Sequence, residues 1–323
     1  MICTTGIQYA VFKKIARDIA EVNNFTYVET PAESIKKKCE KLIIVDNLLE
    51  RTGFIAYRWE KETKKDIILY VVTEGYPTIT PNNGFGNIIK NTPIITPSKY
   101  SKEFLEESGF SVDAVIPHGV KIPNKIKGYE EREKKMLYRS YYIKRKFPPY
   151  GIQAIRKALD QKIPIDIVVR DDMYPNGIEQ RHQNLMKLLT FKIENSFAVN
   201  EENIYDQFSK YLFFLNISDG GGFELEVLEN MALGTPVITA YFPPISEYYP
   251  KNDLVVETTG EWWEQYPYIT IKHHVYDPDK MLETIKNAYD MDKSKWEQIS
   301  NEIRERAKEY DYKKVYKEFK KYV

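Results

Sequence analysis

Hydrophobic and polar positions alternate along the chain in two patterns. Short apolar runs rich in β-branched residues, such as KLIIVDN (Lys41–Asn47) and DIILYVVT (Asp66–Thr73), have the length of buried strands. Longer amphipathic stretches lie between such runs, and in YGIQAIRKALDQ (Tyr150–Gln161) the residues Ile152 and Ile155 share one face of a helix. This alternation predicts an α/β protein with parallel sheets that are covered by helices on both faces.

One charged stretch interrupts the alternation near the middle of the chain. KIPNKIKGYEEREKKM (Lys121–Met136) also contains proline and glycine, a composition typical of a linker. A chain of 323 residues is long for one core and suits two domains of about 150 residues each. We therefore predict a first domain over residues 1–125 and a second over residues 126–305.

Composition narrows the class of protein. Lys+Arg and Asp+Glu both number 47, so the formal net charge is zero, whereas general nucleic-acid binders are usually basic. Cys3 and Cys39 are too few for a disulfide framework and form no CxxC pair, which favours a reducing compartment. We find no signal peptide and no apolar run near the roughly 20 residues of a membrane span. We expect a cytoplasmic protein, at most peripheral to a membrane, that binds no nucleic acid.

A glycine triplet marks the candidate binding loop, in SDGGGFELEVLENMALGTPVITA (Ser218–Ala240). The predicted strand FFLNIS ends at Ser218, and Asp219–Gly222 then leads into a helix. Ligands of open α/β sheets bind beyond the carboxyl ends of strands. Glycines allow close approach of the backbone and positive φ, and the N–H groups at a helix start favour an anion such as a diphosphate.

The helix after this loop is predicted to run from about Phe223 to Leu233, with Gly234 as its stop. Glu229 lies four residues after Leu225, so it borders the packed face, where a carboxylate is partly desolvated and needs partners. The two hydroxyls of a ribose can supply them. The alternative is an ordinary surface glutamate at the edge of the apolar stripe.

The sequence of this segment resembles a known signature. GGFELEVLENMALGTPVI is similar to the nucleotide-sugar-binding signature of GT-B glycosyltransferases, in the large retaining family that includes sucrose-phosphate synthases and mannosyltransferases (glycosyl transferases group 1). That signature reads roughly E-G-F-G-L-P-x-L-E-A-M-A-x-G-x-P-V-I. The matching residues are Gly222, Phe223, Leu225, Leu228, Glu229, Met231, Ala232, Gly234, Pro236, Val237 and Ile238. PPISEYY (Pro243–Tyr249) further resembles the family's G-x-P-E-x-x, with Glu247 in the glutamate position.

The resemblance implies a fold and a reaction. The fold is GT-B, in which two Rossmann-like domains face each other across a cleft and a last helix, about residues 306–323 here, crosses back to the first domain. The implied reaction transfers a sugar from a UDP- or GDP-sugar to an acceptor (glycan, lipid or protein), with retention and without a metal or a further cofactor. Alternatives are an epimerase or phosphorylase of the same fold, or a degenerate nucleotide-sugar binder that lacks catalysis.

Site residues on the glycine loop are implied by the same signature. Its last glutamate binds the ribose and falls at Glu229, while its first glutamate, which contacts the donor sugar, falls at Gly221. Asp219 or Glu224 is a candidate for that missing sugar contact. The backbone amides that meet the phosphates or the sugar are those of Gly222, Phe223, Glu224 and Leu225.

Cations for the donor diphosphate are expected in LYRSYYIKRKFPPYG, which resembles the family's G-R-x-x-x-x-K-G pattern. We favour Arg139 and Lys146, with Arg145 next, because fixed cations stabilise the negative charge that develops on the leaving diphosphate. The alternative is a basic surface, or a patch for anionic lipid headgroups.

Two further candidates lie in the first domain. Glu74 stands where many family members carry a histidine in a T-x-H pattern, and it is either a sugar or acceptor ligand or a solvated loop residue. Gly6 lies in a loop that could approach the donor phosphates across the cleft. His273 and His274 have no third ligand at metal spacing, so we predict no metal site.

Overall fold

The structure is a computed structural model that describes residues 1–7, 9–47, 49–141, 144–170, 192–194 and 201–323. Its first sheet has six parallel strands in the order β2-β1-β3-β4-β6-β7. These strands are β1 (Ile2–Gly6), β2 (Thr26–Tyr27), β3 (Lys41–Asp46), β4 (Asp66–Val71), β6 (Ile94–Thr96) and β7 (Ala114–Val115). The helices of this half are α1 (Ala10–Asn23), α2 (Pro31–Lys36), α3 (Leu49–Thr63), α4 (Gly86–Ile89) and α5 (Lys99–Glu107).

The second sheet has eight strands in the order β10-β9-β8-β11-β12-β13-β14-β5. They are β8 (Glu133–Tyr141), β9 (Ile165–Arg170), β10 (Lys192–Glu194), β11 (Tyr211–Asn216), β12 (Val237–Tyr241), β13 (Val255–Gln265), β14 (Ile269–Tyr276) and β5 (Gly75–Pro77). Pairing is parallel from β10 to β13 and antiparallel from β13 through β14 to β5. The helices of this half are α6 (Pro149–Asp160), α7 (Glu201–Ser209), α8 (Leu225–Ala232), α9 (Ile245–Tyr248), α10 (Pro278–Tyr289), α11 (Lys293–Ala307) and α12 (Tyr312–Val315).

Burial explains why the central strands are visible in the sequence. Leu42, Ile43, Ile44 and Val45 of β3 have no exposed surface, and every residue of β11 is buried. A parallel strand that is covered on both faces carries a continuous apolar run rather than an alternating one. The predicted α/β class with parallel sheets is confirmed.

Local signals also set several helix ends. The Ser98 side chain accepts a hydrogen bond from the N–H of Ser101 at the start of α5, and Gly109 follows that helix at φ 92°. Gly234 adopts φ 62° directly after α8, in the left-handed region that favours glycine. Helix α8 begins at Leu225, two residues later than predicted.

The carboxyl-terminal segment returns to the first sheet. Tyr312, Tyr316 and Phe319 pack in the same apolar cluster as Phe12 of α1. The amide of Asn23 donates to the Tyr316 carbonyl at 2.8 Å, which ties the end of α1 to this segment.

The two cysteines are paired, although their small number and spacing favoured a reducing compartment. Cys3 in β1 and Cys39 just before β3 form a disulfide with a Cα–Cα separation of 5.9 Å, and both are buried. The strands β1 and β3 are direct neighbours, which brings together two cysteines that are distant in sequence. Disulfides occur in secreted proteins and in intracellular proteins of hyperthermophiles, so the cysteines no longer favour a reducing compartment. Among the described residues, no helix has the length and apolar character needed to cross a membrane.

Candidate nucleotide-sugar site

The candidate site lies where the order of the second sheet reverses. From β8 the chain continues to β9 and β10 on one side, whereas β11 and β12 lie on the other side. The loops after β8 and β11 therefore lead away in opposite directions and leave a crevice between them. Crevices of this kind are where open α/β sheets bind ligands. The loop after β8 carries Arg145 and Lys146, and the loop after β11 carries Asp219–Gly222. The loop after β4 of the first sheet brings Glu74 to the same place.

Arg145 and Glu74 form an ion pair between the two halves of the molecule. The Nε and Nη2 groups of Arg145 donate to the two carboxylate oxygens of Glu74. Burial alone lowers the pKa of Arg145, but the carboxylates of Glu74, Glu224 and Asp219 outweigh it and raise that pKa above its usual value. The third nitrogen, Nη1, is buried without a hydrogen-bond partner among the described residues. A buried donor of this kind is costly unless a ligand accepts from it.

Lys146 pairs with Glu224, and this pair explains the glycine at position 221. The ammonium of Lys146 contacts Oε2 of Glu224, and both side chains are largely buried. A Cβ on Gly221 would overlap the other carboxylate oxygen of Glu224. The Glu224 carboxylate therefore occupies the space in which a side chain at position 221 would begin.

Gly222 has a packing role that the sequence did not reveal. The Ser98 hydroxyl donates to the Gly222 carbonyl at 3.0 Å, and a Cβ on Gly222 would overlap the Thr73 carbonyl oxygen. Positive φ was expected in the triplet, but none of Gly220–Gly222 has it. The absence of a side chain at Gly222 lets the two halves of the molecule approach closely.

Asp219 anchors the loop to strand β14. Its Oδ1 lies 2.9 Å from Nδ1 of His273, its Oδ2 accepts from the Tyr150 hydroxyl, and its N–H donates to the Arg145 carbonyl at 3.0 Å. His273 stacks on Trp262, with ring centroids 4.0 Å apart. Sequence reasoning gave His273 no role because it did not predict the β13–β14 hairpin. The sequence signal for this hairpin was the pair of tryptophans upstream of the two histidines, since Trp262 stacks on His273 across it.

Glu229 lies in α8 and is 6% exposed, which confirms the expected desolvation of its carboxylate. Phe223 stacks on Tyr248 at 4.9 Å and contacts the His118 ring at 4.8 Å. Leu225 is half-buried at the first position of α8. Phe223 and Leu225 come directly after the loop, so a ligand on the loop would meet the start of the helix.

Arg139 and Gly6 have local roles in the structure. The Arg139 side chain has no exposed surface, and its Nη1 donates to Oε1 of Glu226 at 2.7 Å. This contact ties Arg139 to the first turn of α8, two residues after the glutamate that pairs with Lys146. A Cβ on Gly6 would overlap the backbone of Phe12, so packing of β1 against α1 explains this glycine.

Glu247, at the glutamate position of the resemblance, bridges the two halves. Its carboxylate accepts from the N–H groups of Lys99 at 2.9 Å and Tyr100 at 2.8 Å, at the start of α5. Burial raises the pKa of this carboxyl. Among the residues that the structure describes, no cluster of three histidine, cysteine, aspartate or glutamate side chains is arranged to hold a metal.

Comparison with known proteins gives the fold a family context. No family model matches the chain. A glycosyltransferase of Sulfolobus islandicus rod-shaped virus 1, named as uncharacterized, is 23% identical, with 97% of each chain covered. The structure of Anabaena HepE in complex with UDP and glucose aligns with a TM-score of 0.74 at 12% identity, covering 99% of this chain and 98% of HepE. A glycosyltransferase from Rickettsia africae aligns with a TM-score of 0.66 at 11% identity, covering 99% and 97%.

These similarities agree with the two facing sheets, the site at the carboxyl ends of their strands and the resemblance in the glycine loop. They do not distinguish the retaining family, which the signature in the glycine loop resembles, from other glycosyltransferases of this fold. The chain has the GT-B fold, and it is similar in sequence to viral proteins that are named glycosyltransferases.

Proposed function

We propose that the chain transfers a sugar from a nucleotide-diphosphate sugar, with a UDP-sugar as the first choice, to an acceptor. The observation that carries this proposal is the pair of adjacent cations, Arg145 and Lys146, at the sheet's switch point beside the glycine loop. HepE, which has the same fold, has been crystallised with UDP and with UDP-glucose. The buried, unpartnered Nη1 of Arg145 supplies a donor for a phosphate oxygen.

In the proposed reaction, the bond between the anomeric carbon and the phosphate oxygen breaks and negative charge develops on the diphosphate. Arg145 and Lys146 stabilise that charge, as do the N–H groups at the start of α8. Removal of one such group commonly lowers the rate by roughly 10²–10³. We further propose retention, in which the acceptor oxygen bonds to the anomeric carbon on the face that the diphosphate leaves and the departing phosphate oxygen takes the acceptor's proton. Neither a metal nor a carboxylate nucleophile is then needed.

In the proposed complex, the donor's phosphates compete with Glu74 and Glu224 for the two cations. Each carboxylate now neutralises one of the two cations. When a diphosphate binds, the cations pair with phosphate oxygens and the carboxylates become available to the hydroxyls of the donor sugar. Glu224 thereby replaces the signature glutamate that is absent at Gly221, since its carboxylate already lies over that position.

Isothermal titration with UDP, GDP and UDP-glucose tests this proposal. Glu224→Gln removes the anion that competes for Lys146, so UDP should bind about tenfold more tightly, which corresponds to about 1.4 kcal/mol. The preference for UDP-glucose over UDP should fall, because the sugar loses a charged hydrogen-bond acceptor.

The matched control is Glu257→Gln, since Glu257 forms an exposed ion pair with Lys251. It should leave both affinities unchanged. Absence of binding of any nucleotide or nucleotide sugar by the native chain would refute the proposed function. An unchanged ratio of the two affinities in Glu224→Gln would refute only the role of Glu224.

A further inference from the structure

The β13–β14 hairpin exposes large aromatic side chains next to the candidate site. Trp262 is 36% exposed, Trp263 44% and Tyr268 52%. Residues 262 and 263 point to opposite faces of a strand. Trp263 stacks on Tyr76 at 5.1 Å and contacts Phe104, so it covers the first half of the molecule. Trp262 lies on the other face and requires a separate explanation.

Trp262 is held rigidly and connects to the glycine loop. Its indole lies parallel to the ring of His273 within 10°, and His273 contacts the Asp219 carboxylate. The stack covers one face of the indole and leaves more than a third of the residue exposed. A fixed aromatic ring loses little conformational entropy when a ligand packs against it.

Hydrogen-bonding groups border the indole on the same face of the hairpin. Glu264 comes two residues after Trp262 in β13, so strand alternation places these two side chains on one face, and Tyr266 comes directly after the strand. The Tyr266 hydroxyl donates to Oε2 of Glu264 at 2.8 Å. Burial, Glu264 and Glu74 raise the pKa of Tyr266, while Arg145 lowers it, which locates this tyrosine near the ion pair in the cleft.

We propose that Trp262, Glu264 and Tyr266 form a binding site for one sugar unit of a neutral acceptor glycan; the proposal rests on the proposed function. We call this site the Trp262 face. A pyranose ring has a face of C–H groups that packs on an aromatic ring, and its hydroxyls need acceptors such as the Glu264 carboxylate.

The surroundings favour a neutral acceptor glycan over other ligands. The Glu264 carboxylate would repel an acidic polymer, and a lipid chain would remove that carboxylate from water, whereas sugar hydroxyls can donate to it. The donor loop Gly220–Gly222 is buried, whereas Trp262 opens to solvent, as a site for a long acceptor requires.

The test measures binding of the full chain, with UDP present, to an array of neutral gluco-, galacto- and manno-oligosaccharides. The native chain should bind at least one of them. Trp262→Ala should weaken that binding tenfold or more, Trp262→Phe should retain part of it, and Glu264→Gln should also weaken it. Phe54→Ala is the matched control, because Phe54 is a similarly exposed aromatic residue on α3. It should not change the affinity for glycans.

Titration with UDP and UDP-glucose separates the outcomes. If the native chain binds UDP but no glycan, or if Trp262→Ala and Glu264→Gln both bind glycan as the native chain does, the inference is wrong and the proposed function stands. If Trp262→Ala weakens UDP-glucose but not UDP, Trp262 contacts the donor sugar and the acceptor assignment is overturned. If the native chain binds no nucleotide, the proposed function itself fails. Retained UDP affinity shows that each variant is folded.

Discussion

Reduction of the disulfide should destabilise the protein by a predictable amount. Cys3 and Cys39 are separated by 36 residues and join two neighbouring strands of the first sheet. In the chain-entropy description, a cross-link that closes a loop of this length restricts the unfolded chain by about 13 cal/mol/K, or about 4 kcal/mol at 25 °C. If the whole chain unfolds as one unit, reduction should then lower the midpoint temperature of unfolding by about 6 °C.

The assay compares urea unfolding of the oxidised protein with and without a phosphine reductant. The reduced protein should unfold at a lower urea concentration, with a loss in unfolding free energy of about 4 kcal/mol. The double variant Cys3→Ala/Cys39→Ala is the control and should not respond to the reductant. If thiol titration shows complete reduction but the native chain unfolds at the same urea concentration as before, the loop-closure reasoning is wrong.

Three further predictions concern the site and its support. Glu229→Ala should weaken UDP binding in a titration by about tenfold, a loss of about 1.4 kcal/mol, if its buried carboxylate accepts from the ribose; unchanged affinity counts against that role. Gly222→Ala should lower the unfolding free energy by about 1–3 kcal/mol because its Cβ overlaps the Thr73 carbonyl, whereas Gly260→Ala, with no atom within 4 Å of its Cβ, should stay within about 0.5 kcal/mol of the native chain. Burial lowers the pKa of His118 to about 3 from the usual 6.5. The contribution of the neutral imidazole to the unfolding free energy is therefore complete above pH 6.5. It is lost at up to about 1.4 kcal/mol per pH unit as the pH falls toward 3. His118→Gln should therefore show a flatter acid limb in unfolding experiments, and an unchanged slope would contradict this account.

Much of the fold could be predicted because its central strands are buried on both faces. Runs such as those of β3 and β11 are continuous, and Ser98 and Gly234 mark helix ends by their own chemistry. The β13–β14 hairpin was not predicted. Much of β13 is exposed, so its apolar pattern is weak, and its pairing with β14 depends on contacts that local sequence does not show.

The position of the glycine loop in the fold was predicted, but the contacts of its residues were not. The glycine triplet correctly marked a strand-to-helix loop at the carboxyl end of a parallel strand. The partners Glu74 and Arg145 are 71 residues apart and come from different halves, so no spacing rule connects them. Gly222 was interpreted through a ligand, although the Thr73 carbonyl alone excludes a side chain there.

Strand β5 limits how the two halves can move. Gly75–Pro77 belongs to the first half by sequence but pairs with Ile269–Ile271 in the second sheet. The hydrogen bond from the Lys272 N–H to the Glu74 carbonyl, at 3.3 Å, extends this attachment to the residue that pairs with Arg145. A rigid-body separation would break these main-chain bonds. Separation of the two halves with β5 still paired therefore requires bending of the backbone on either side of β5, and it leaves the main chain of Glu74 with the second half.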